Sequence, residues 1–270
     1  SPIEEIEGLQ VWLDATSLNL KNNDKVALWD NLATPTIENA GDAVQNDATR
    51  QPIYVENGSI NGLPTVRFNK QSFVDVGSSR GFYLDDLTII AVVKPDEVSG
   101  HHEFFSHLTG VPHNHNWFFN FEDGFNFGWG SKSGSSVSFA QERVQIDANS
   151  PYILTGLREN NEGKSYVNGW LEATFKGGPT VNTNNAVRIG GENGETFDGE
   201  LGELIVFDRA LTSNELDIVE AYLEDKWNVS YDTDAMLKGI SIGDKELKEF
   251  YPSTYKYSYL SQEEIKIEDI

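Results

Sequence analysis

The chain contains no cysteine. Disulfides, thiolate metal centres and thiol nucleophiles are therefore excluded. No apolar run approaches the ~20 residues of a membrane span, so no membrane insertion is expected. Positive charge is scarce: 20 Lys and Arg stand against 43 Asp and Glu, a net charge of −23. Such a surface repels phosphate backbones and anionic lipid, so no nucleic-acid partner is expected. The first residues, Ser1-Pro2-Ile3-Glu4-Glu5, lack the charged and apolar regions of a signal peptide. The chain reads as a trimmed piece, with any signal or anchor outside it.

What is present is apolar and aromatic enough for a real core. Hydrophobic residues make up 38% of the 270 positions and aromatics 11%, while charged residues stop at 23%. This is not the composition of a disordered chain. The acidity itself has two readings, solubility and a set of acidic loops that hold Ca²⁺, a hard cation that prefers oxygen ligands.

Short β-like runs separated by Gly, Asn, Asp and Pro dominate the texture, which predicts an all-β sandwich. The expected strands are Leu9–Leu13, Val26–Trp29, Thr65–Asn69, Leu87–Val93, Trp117–Phe121, Phe125–Trp129, Tyr152–Arg158, Lys164–Val167, Leu171–Phe175, Ala186–Ile189 and Glu200–Phe207. Asn168-Gly169 lies between two of them, and both residues tolerate positive φ, so a two-residue hairpin is expected there. Asn61-Gly62 reads as a second tight turn.

One helix is expected, from Thr212 to about Trp227. Thr212 and Glu215 have the spacing of a capping box. Leu216, Val219, Tyr222, Leu223 and Trp227 recur at intervals of three and four, an apolar stripe that packs on the sandwich. Beyond Tyr231 the texture changes. Leu237–Ile242 reads as a strand, Gly243-Asp244 as a turn and Tyr255–Leu260 as another strand. Two or three strands cannot close a sandwich, so a first domain over 1–231 is expected to be followed by a partial second module over 232–270.

Four stretches together resemble a known family. They are Gly8-Leu9-Gln10-Val11-Trp12-Leu13-Asp14-Ala15, Val26-Ala27-Leu28-Trp29-Asp30, Asn61-Gly62-Leu63-Pro64-Thr65-Val66-Arg67-Phe68, and the run from Phe197 to Thr212. In that order, over residues 8–228, they resemble bacterial laminin-G-like, concanavalin-A-like jelly rolls. The resemblance implies a two-sheet antiparallel jelly roll with one C-terminal helix. Leu237–Ile242 and Phe250–Tyr259 are similar to the start of cadherin-like, Ig-type bacterial repeats, spacers in long surface proteins. Both likenesses imply an extracellular location, secreted or at the cell surface.

Fold does not choose among lectins, carbohydrate-binding modules and glycosidases. An endoglucanase-like strand would carry acids on alternate positions, E-x-D-x-E, so that nucleophile and acid share one face. That pattern does not occur. Glu122-Asp123 are adjacent, and Glu200 and Glu203 differ in parity. Neither G-x-S-x-G nor a phosphate-binding G-x-x-x-x-G-K-[ST] is present.

All five histidines lie between His101 and His115, beside Asn116, Trp117, Asn126 and Trp129. Three readings remain open. His113 and His115 put two imidazoles on one side of a strand, as in a metal pair. Alternatively His101, His102, His113, His115, Asn116, Trp117, Asn126 and Trp129 form a sugar site, rings against the pyranose face and amides or imidazoles on the hydroxyls. In the third reading Trp117, Phe119 and Phe121 are alternating core residues and the histidines decorate loops. Laminin-G-like domains often hold Ca²⁺ at a rim, and by that resemblance Asp198 and Asn168 are candidate metal ligands. The expected function is a non-catalytic, lectin-like module for a glycan or polysaccharide, including one on a host or cell-surface glycoprotein. A structural or protein-binding role in an adhesin stalk is the alternative, and a hydrolase or lyase the third.

Overall fold

The apolar alternation is realised as two antiparallel sheets packed face to face. The computed structural model describes residues 1–37, 40–77, 84–108, 115–133, 136–177, 187–192, 195–229, 241–242 and 245–246. In chain order the strands begin with β1 (Leu9–Asp14), β2 (Leu28–Trp29), β3 (Ala43–Val44), β4 (Ile53–Val55), β5 (Thr65–Phe68) and β6 (Val74–Val76). Next come β7 (Leu87–Pro95), β8 (His102–Leu108), β9 (His115–Phe121), β10 (Phe125–Ser133), β11 (Ser136–Val144) and β12 (Tyr152–Glu159). β13 (Glu162–Val167), β14 (Trp170–Lys176), β15 (Val187–Ile189), β16 (Gly191–Glu192), β17 (Glu195–Thr196) and β18 (Gly199–Phe207) lead to helix α1 (Ser213–Trp227). The first sheet runs β14-β13-β12-β7-β18-β5-β4, with β1 also paired to β18. The second runs β11-β10-β9-β8-β15-β6-β3-β2, with β17 set against β8.

The inner faces supply one core. Phe119, Phe121, Phe125, Phe127 and Trp129 from the second sheet meet Ala91, Val93, Leu154, Leu204 and Val206 from the first. The sheets approach closely at Gly156, where a Cβ would lie 2.4 Å from Phe119 and 2.5 Å from Phe127. The outer face of the first sheet carries a second apolar layer: Ile90, Val92, Ile153, Ile205 and Phe207 lie under Leu216, Val219, Leu223 and Trp227 of α1. This is why β7 and β18 are apolar on both faces, like a buried parallel strand, although their pairing is antiparallel.

Helix α1 starts and stops where its sequence says. Thr212 and Glu215 form both halves of the capping box, and Asn228 closes the helix in the left-handed region at φ 51°. Arg209 grips Glu215 at 2.6 and 2.9 Å. That pairing, with the Thr212 cap, holds the Glu215 carboxyl down to about 2. A buried polar network fastens the helix to the sheet. Glu203 Oε1 accepts from Trp12 Nε1 at 2.6 Å, and Oε2 accepts from Trp227 Nε1 at 2.8 Å and Lys226 Nζ at 2.7 Å. Lys226 also donates to Asp14 Oδ2 at 2.6 Å. Burial works against its charge, but the two carboxylates raise its pKa.

The expected strands differ from the observed ones in two informative ways. Simple alternation puts Leu201 with Glu203, yet Leu201 joins Leu204 and Val206 in the core, because β18 carries a bulge between Leu201 and Glu203. Strands β3, β4, β6, β8, β11, β16 and β17 are not among the expected ones, and of these β8 and β11 are long. Bulges in β8 between Glu103 and Phe105 and between Ser106 and Leu108 break its alternation, and β11 is a polar edge strand. The hairpin at Asn168-Gly169 is as expected, with φ of 49° and 83°.

The chain divides into two compact units, Ser1–Val229 and Ser230–Ile270. In the second, Ser241–Ile242 pairs antiparallel with Lys245–Glu246. The expected turn at Gly243-Asp244 and strand at Tyr255–Leu260 lie outside the described residues.

Candidate functional site

The face of the second sheet turned away from the core carries a polar row. On β9 and β10 the odd-numbered aromatics point inward, so Asn120 and Asn126 point outward by the two-residue period. Register then aligns Glu103 with Asn120, Asn120 with Asn126, and Asn126 with Arg143, across β8, β9, β10 and β11. Directly opposed residues on one face have Cβ atoms about 4.5–5.5 Å apart, so these side chains form one surface. Its floor is recessed: Glu103, Asn120 and Asn126 are 1%, 2% and 1% exposed. Its rim is open: the His101, Glu122 and Arg143 side chains are 34%, 37% and 43% exposed.

The contacts tie floor to rim. His101 Nε2 lies 3.9 Å from Glu103 Oε1, and His101 Nδ1 lies 3.9 Å from Glu122 Oε2. Asn120 Nδ2 lies 3.3 Å from His101 Nε2. Ser106 donates to Glu103 Oε2 at 3.1 Å. Arg143 reaches to 4.0 Å from both Glu122 and Asp123. Two amide atoms on the floor, Asn120 Oδ1 and Asn126 Nδ2, have no hydrogen-bond partner among the described residues. One is an acceptor and the other a donor. Leaving such groups buried and unpaired costs about 1–3 kcal/mol each, so a donor and an acceptor left side by side call for a partner such as water or a ligand. Amides, a carboxylate and a guanidinium on one face complement the mixed donor and acceptor character of vicinal hydroxyls.

The expected site residues separate. His101 and Asn126 belong to the row. His102 is a loop staple instead: its Nδ1 lies 3.0 Å from the Thr196 carbonyl and its Nε2 2.7 Å from the Ser99 carbonyl. Trp117 and Trp129 face the other way and are fully buried in the core. Neither ring can serve as an open stacking platform, because both are packed in: Phe105 and His107 adjoin Trp117, and Phe127, Phe175 and the Arg158 guanidinium adjoin Trp129. His115 and Asn116 lie on β9, with side chains outside the described part, and His113 is outside the described residues. Phe118 does face outward, opposite Gly128, but is only 3% exposed. Glu103, Asn120 and Arg143 escape sequence reasoning because strand register brings them together. The one local signal is the parity of Asn120 against the aromatic alternation.

The two candidate metal ligands are engaged elsewhere. Asp198 Oδ1 accepts from Arg67 Nη2 at 2.8 Å. Asn168 Oδ1 accepts from the Ile153 amide at 2.8 Å and closes its hairpin. They flank β18 and β13, three strand spacings apart in the order β13-β12-β7-β18, roughly 14 Å, so they do not share one ion. Among the described residues no group of three or more His, Cys, Asp or Glu is placed to hold a metal ion.

Comparison with known proteins bears on the frame. The profile of the laminin G family described as the concanavalin A-like lectin/glucanases superfamily matches residues 68–217, more than half of the chain. No curated protein sequence matches it. Among solved structures, the binding domain of Paraclostridial Mosquitocidal Protein 1 is 13% identical, with a TM-score of 0.57 over 80% of this chain and 53% of that one. Domain 4 of a GH43 extracellular arabinanase from Geobacillus stearothermophilus, in complex with arabinotriose, is 16% identical, with a TM-score of 0.48 over 78% and 98%. Trypanosoma rangeli sialidase is also 16% identical, with a TM-score of 0.48 over 80% and 33%. The chain thus spans about half of the mosquitocidal binding domain and a third of the sialidase. At such identities the likeness is one of fold.

Proposed function

Because the chain belongs to the concanavalin A-like lectin/glucanases superfamily, we propose that its first unit is a carbohydrate-binding module whose ligand lies along the polar row of β8, β9, β10 and β11. Lectins and glucanases share carbohydrate as their ligand class, which sets the expectation for the fold. The observation that carries the reading to a place is the pair of unpaired, complementary amide atoms, Asn120 Oδ1 and Asn126 Nδ2, facing away from the core. The absence of an alternating carboxylate strand supports a non-catalytic role. A multi-domain, secreted or surface-attached parent, with the tail opening a cadherin-like repeat, belongs to the same reading, as does Ca²⁺ at a rim. The test is a glycan array screened with and without Ca²⁺, with hydrolysis followed on each hit. Binding without turnover is expected. An array with no hit in either condition overturns the reading.

A second reading has its own observation. Burial of both Trp117 and Trp129 removes the aromatic platform and favours a structural or protein-binding domain of a surface stalk. In that case no glycan is retained and the domain is recovered with a protein partner.

A further inference from the structure

Arg158 occupies a position where the fold asks for an apolar residue. On β12 the inward positions are Leu154, Gly156 and Arg158, and the first two pack in the core. Arg158 is only 3% exposed. Its guanidinium carbon lies 4.2 Å from the centre of the Trp129 ring, so one face of the cation is covered by an indole. Its Nε and Nη1 have no hydrogen-bond partner among the described residues. Each belongs to a different edge of the guanidinium fork, so both edges have a free donor.

The surroundings add donors. Trp117 stands on the neighbouring strand at the level of Trp129, since Phe118 faces Gly128 and His115 faces Gly130. Among the described residues Trp117 Nε1 is buried without a partner, and so is Ser165 Oγ, which sits opposite Gly156, two pairs along the β12–β13 ladder from Arg158. Asp85 and Asp86 act on Arg158 through space and oppose the effect of its burial. Neither forms a hydrogen bond with it, and Asp86 Oδ1 is committed to the Asn160 amide at 2.9 Å. A desolvated cation with two edges free among the described residues, in a core that also buries an unpartnered indole N–H on the neighbouring strand and an unpartnered hydroxyl on β13, lacks an acceptor rather than a donor.

We propose that this end of the sandwich interior is a binding site for one small monovalent anionic group, held by Arg158 with Trp117 and Ser165 and floored by Trp129. Near-complete burial selects for size: a halide or a single carboxylate fits the chemistry, and a bulky or doubly charged anion does not. The site lies on the core side of β10, opposite the polar row, and does not depend on the carbohydrate reading.

The test uses the full chain at constant ionic strength, with sodium methanesulfonate as the bulky reference salt. Replacing it by bromide should raise Tm saturably, by about 3–5 °C at ten times the dissociation constant. Bromide bound against Trp129 should also quench part of the tryptophan fluorescence with a saturable, not linear, dependence. Both responses should vanish in Arg158→Met and survive, weakened, in Arg158→Lys, which keeps the charge if the methionine variant folds poorly. Acetate and glucuronate then test the size selection. Acetate, a small carboxylate, should act like bromide, and glucuronate, a bulky one, should act no more strongly than methanesulfonate. A glucuronate response above that of acetate overturns the buried site. A bromide response equal in wild type and both variants is an adventitious ion only, and it overturns the proposal, as does no difference between bromide and methanesulfonate.

Discussion

The two outer faces of the sandwich both bury polar side chains, and they do so in opposite ways. On the first sheet Glu203 is fully buried, yet its two oxygens accept from two indoles and a lysine. On the second sheet Asn120 and Asn126 are nearly as buried, and each keeps an unpaired amide atom among the described residues. A satisfied network under a helix rigidifies the fold. An unsatisfied row, at the foot of a rim of partly exposed His101, Glu122 and Arg143, is what the proposed carbohydrate site would draw on. The difference separates scaffold from site more sharply than residue type does, since both faces use acids, amides and rings.

The comparison breaks most readily at its scaffold half. Glu203→Ala leaves two buried indole N–H groups without their acceptor and Lys226 with only one of its two carboxylates, Asp14. Removing one partner of a buried pair costs about 3–5 kcal/mol, which urea unfolding should show as a lower midpoint with an unchanged slope. A loss under 1 kcal/mol would mean that the network does not hold the helix.

Glu220 tests the same face by pH. It lies on the sheet-facing side of α1, 1% exposed, with Thr155 Oγ1 donating to Oε1 at 3.0 Å. Burial, with Asp217 and Glu224 adding to it and the Thr155 hydrogen bond opposing it, pushes its carboxyl up to about 8. The folded state therefore keeps a proton that the unfolded state has lost. Stability from this group is complete below the ordinary carboxyl range near pH 4.5, falls as pH rises, and is lost above about 8. Glu220→Gln should flatten that fall, an effect on the order of a few kcal/mol across the window. Parallel stability curves for wild type and variant between pH 5 and 8 would refute it.

Smaller still is the cap. Thr212→Ala removes the acceptor for the Glu215 amide and should cost about 1 kcal/mol, read by thermal unfolding. It should leave ligand binding untouched, because α1 packs on the first sheet. A binding defect there would blur the separation of the two faces.

How much of this is legible in the sequence follows the range of the interactions. Helix α1, its cap and the Asn168-Gly169 hairpin depend on neighbours within four residues, and each can be read directly. The jelly-roll frame is legible through ordered motifs such as Asn61–Phe68. The site is only half legible. The segment from His101 to Trp129 does contain the row, but composition cannot say which side of a strand faces out. Trp117 and Trp129 attract attention as ligand rings, whereas alternation with Phe119 and Phe127 sends them into the core. Asn120 meets Asn126 through a hairpin turn, and Glu103 and Arg143 arrive from strands 17 and 23 residues away from Asn120. Bulges in β8 and β18 shift parity without a sequence mark. Arg158 ends the expected strand Tyr152–Arg158, and nothing local reveals that Trp129 lies beneath it.

The central claim is that the polar row on the second sheet binds carbohydrate. Titration calorimetry on wild type and on the Asn120→Ala, Asn126→Ala double variant, with a glycan that the wild type selects from an array, addresses it most directly. Each truncation removes an amide with one unpaired atom, so unfolding stability is measured alongside, and the loss of two ligand hydrogen bonds should weaken binding at least about tenfold. Equal affinity in the two proteins, at matched stability, would contradict the account.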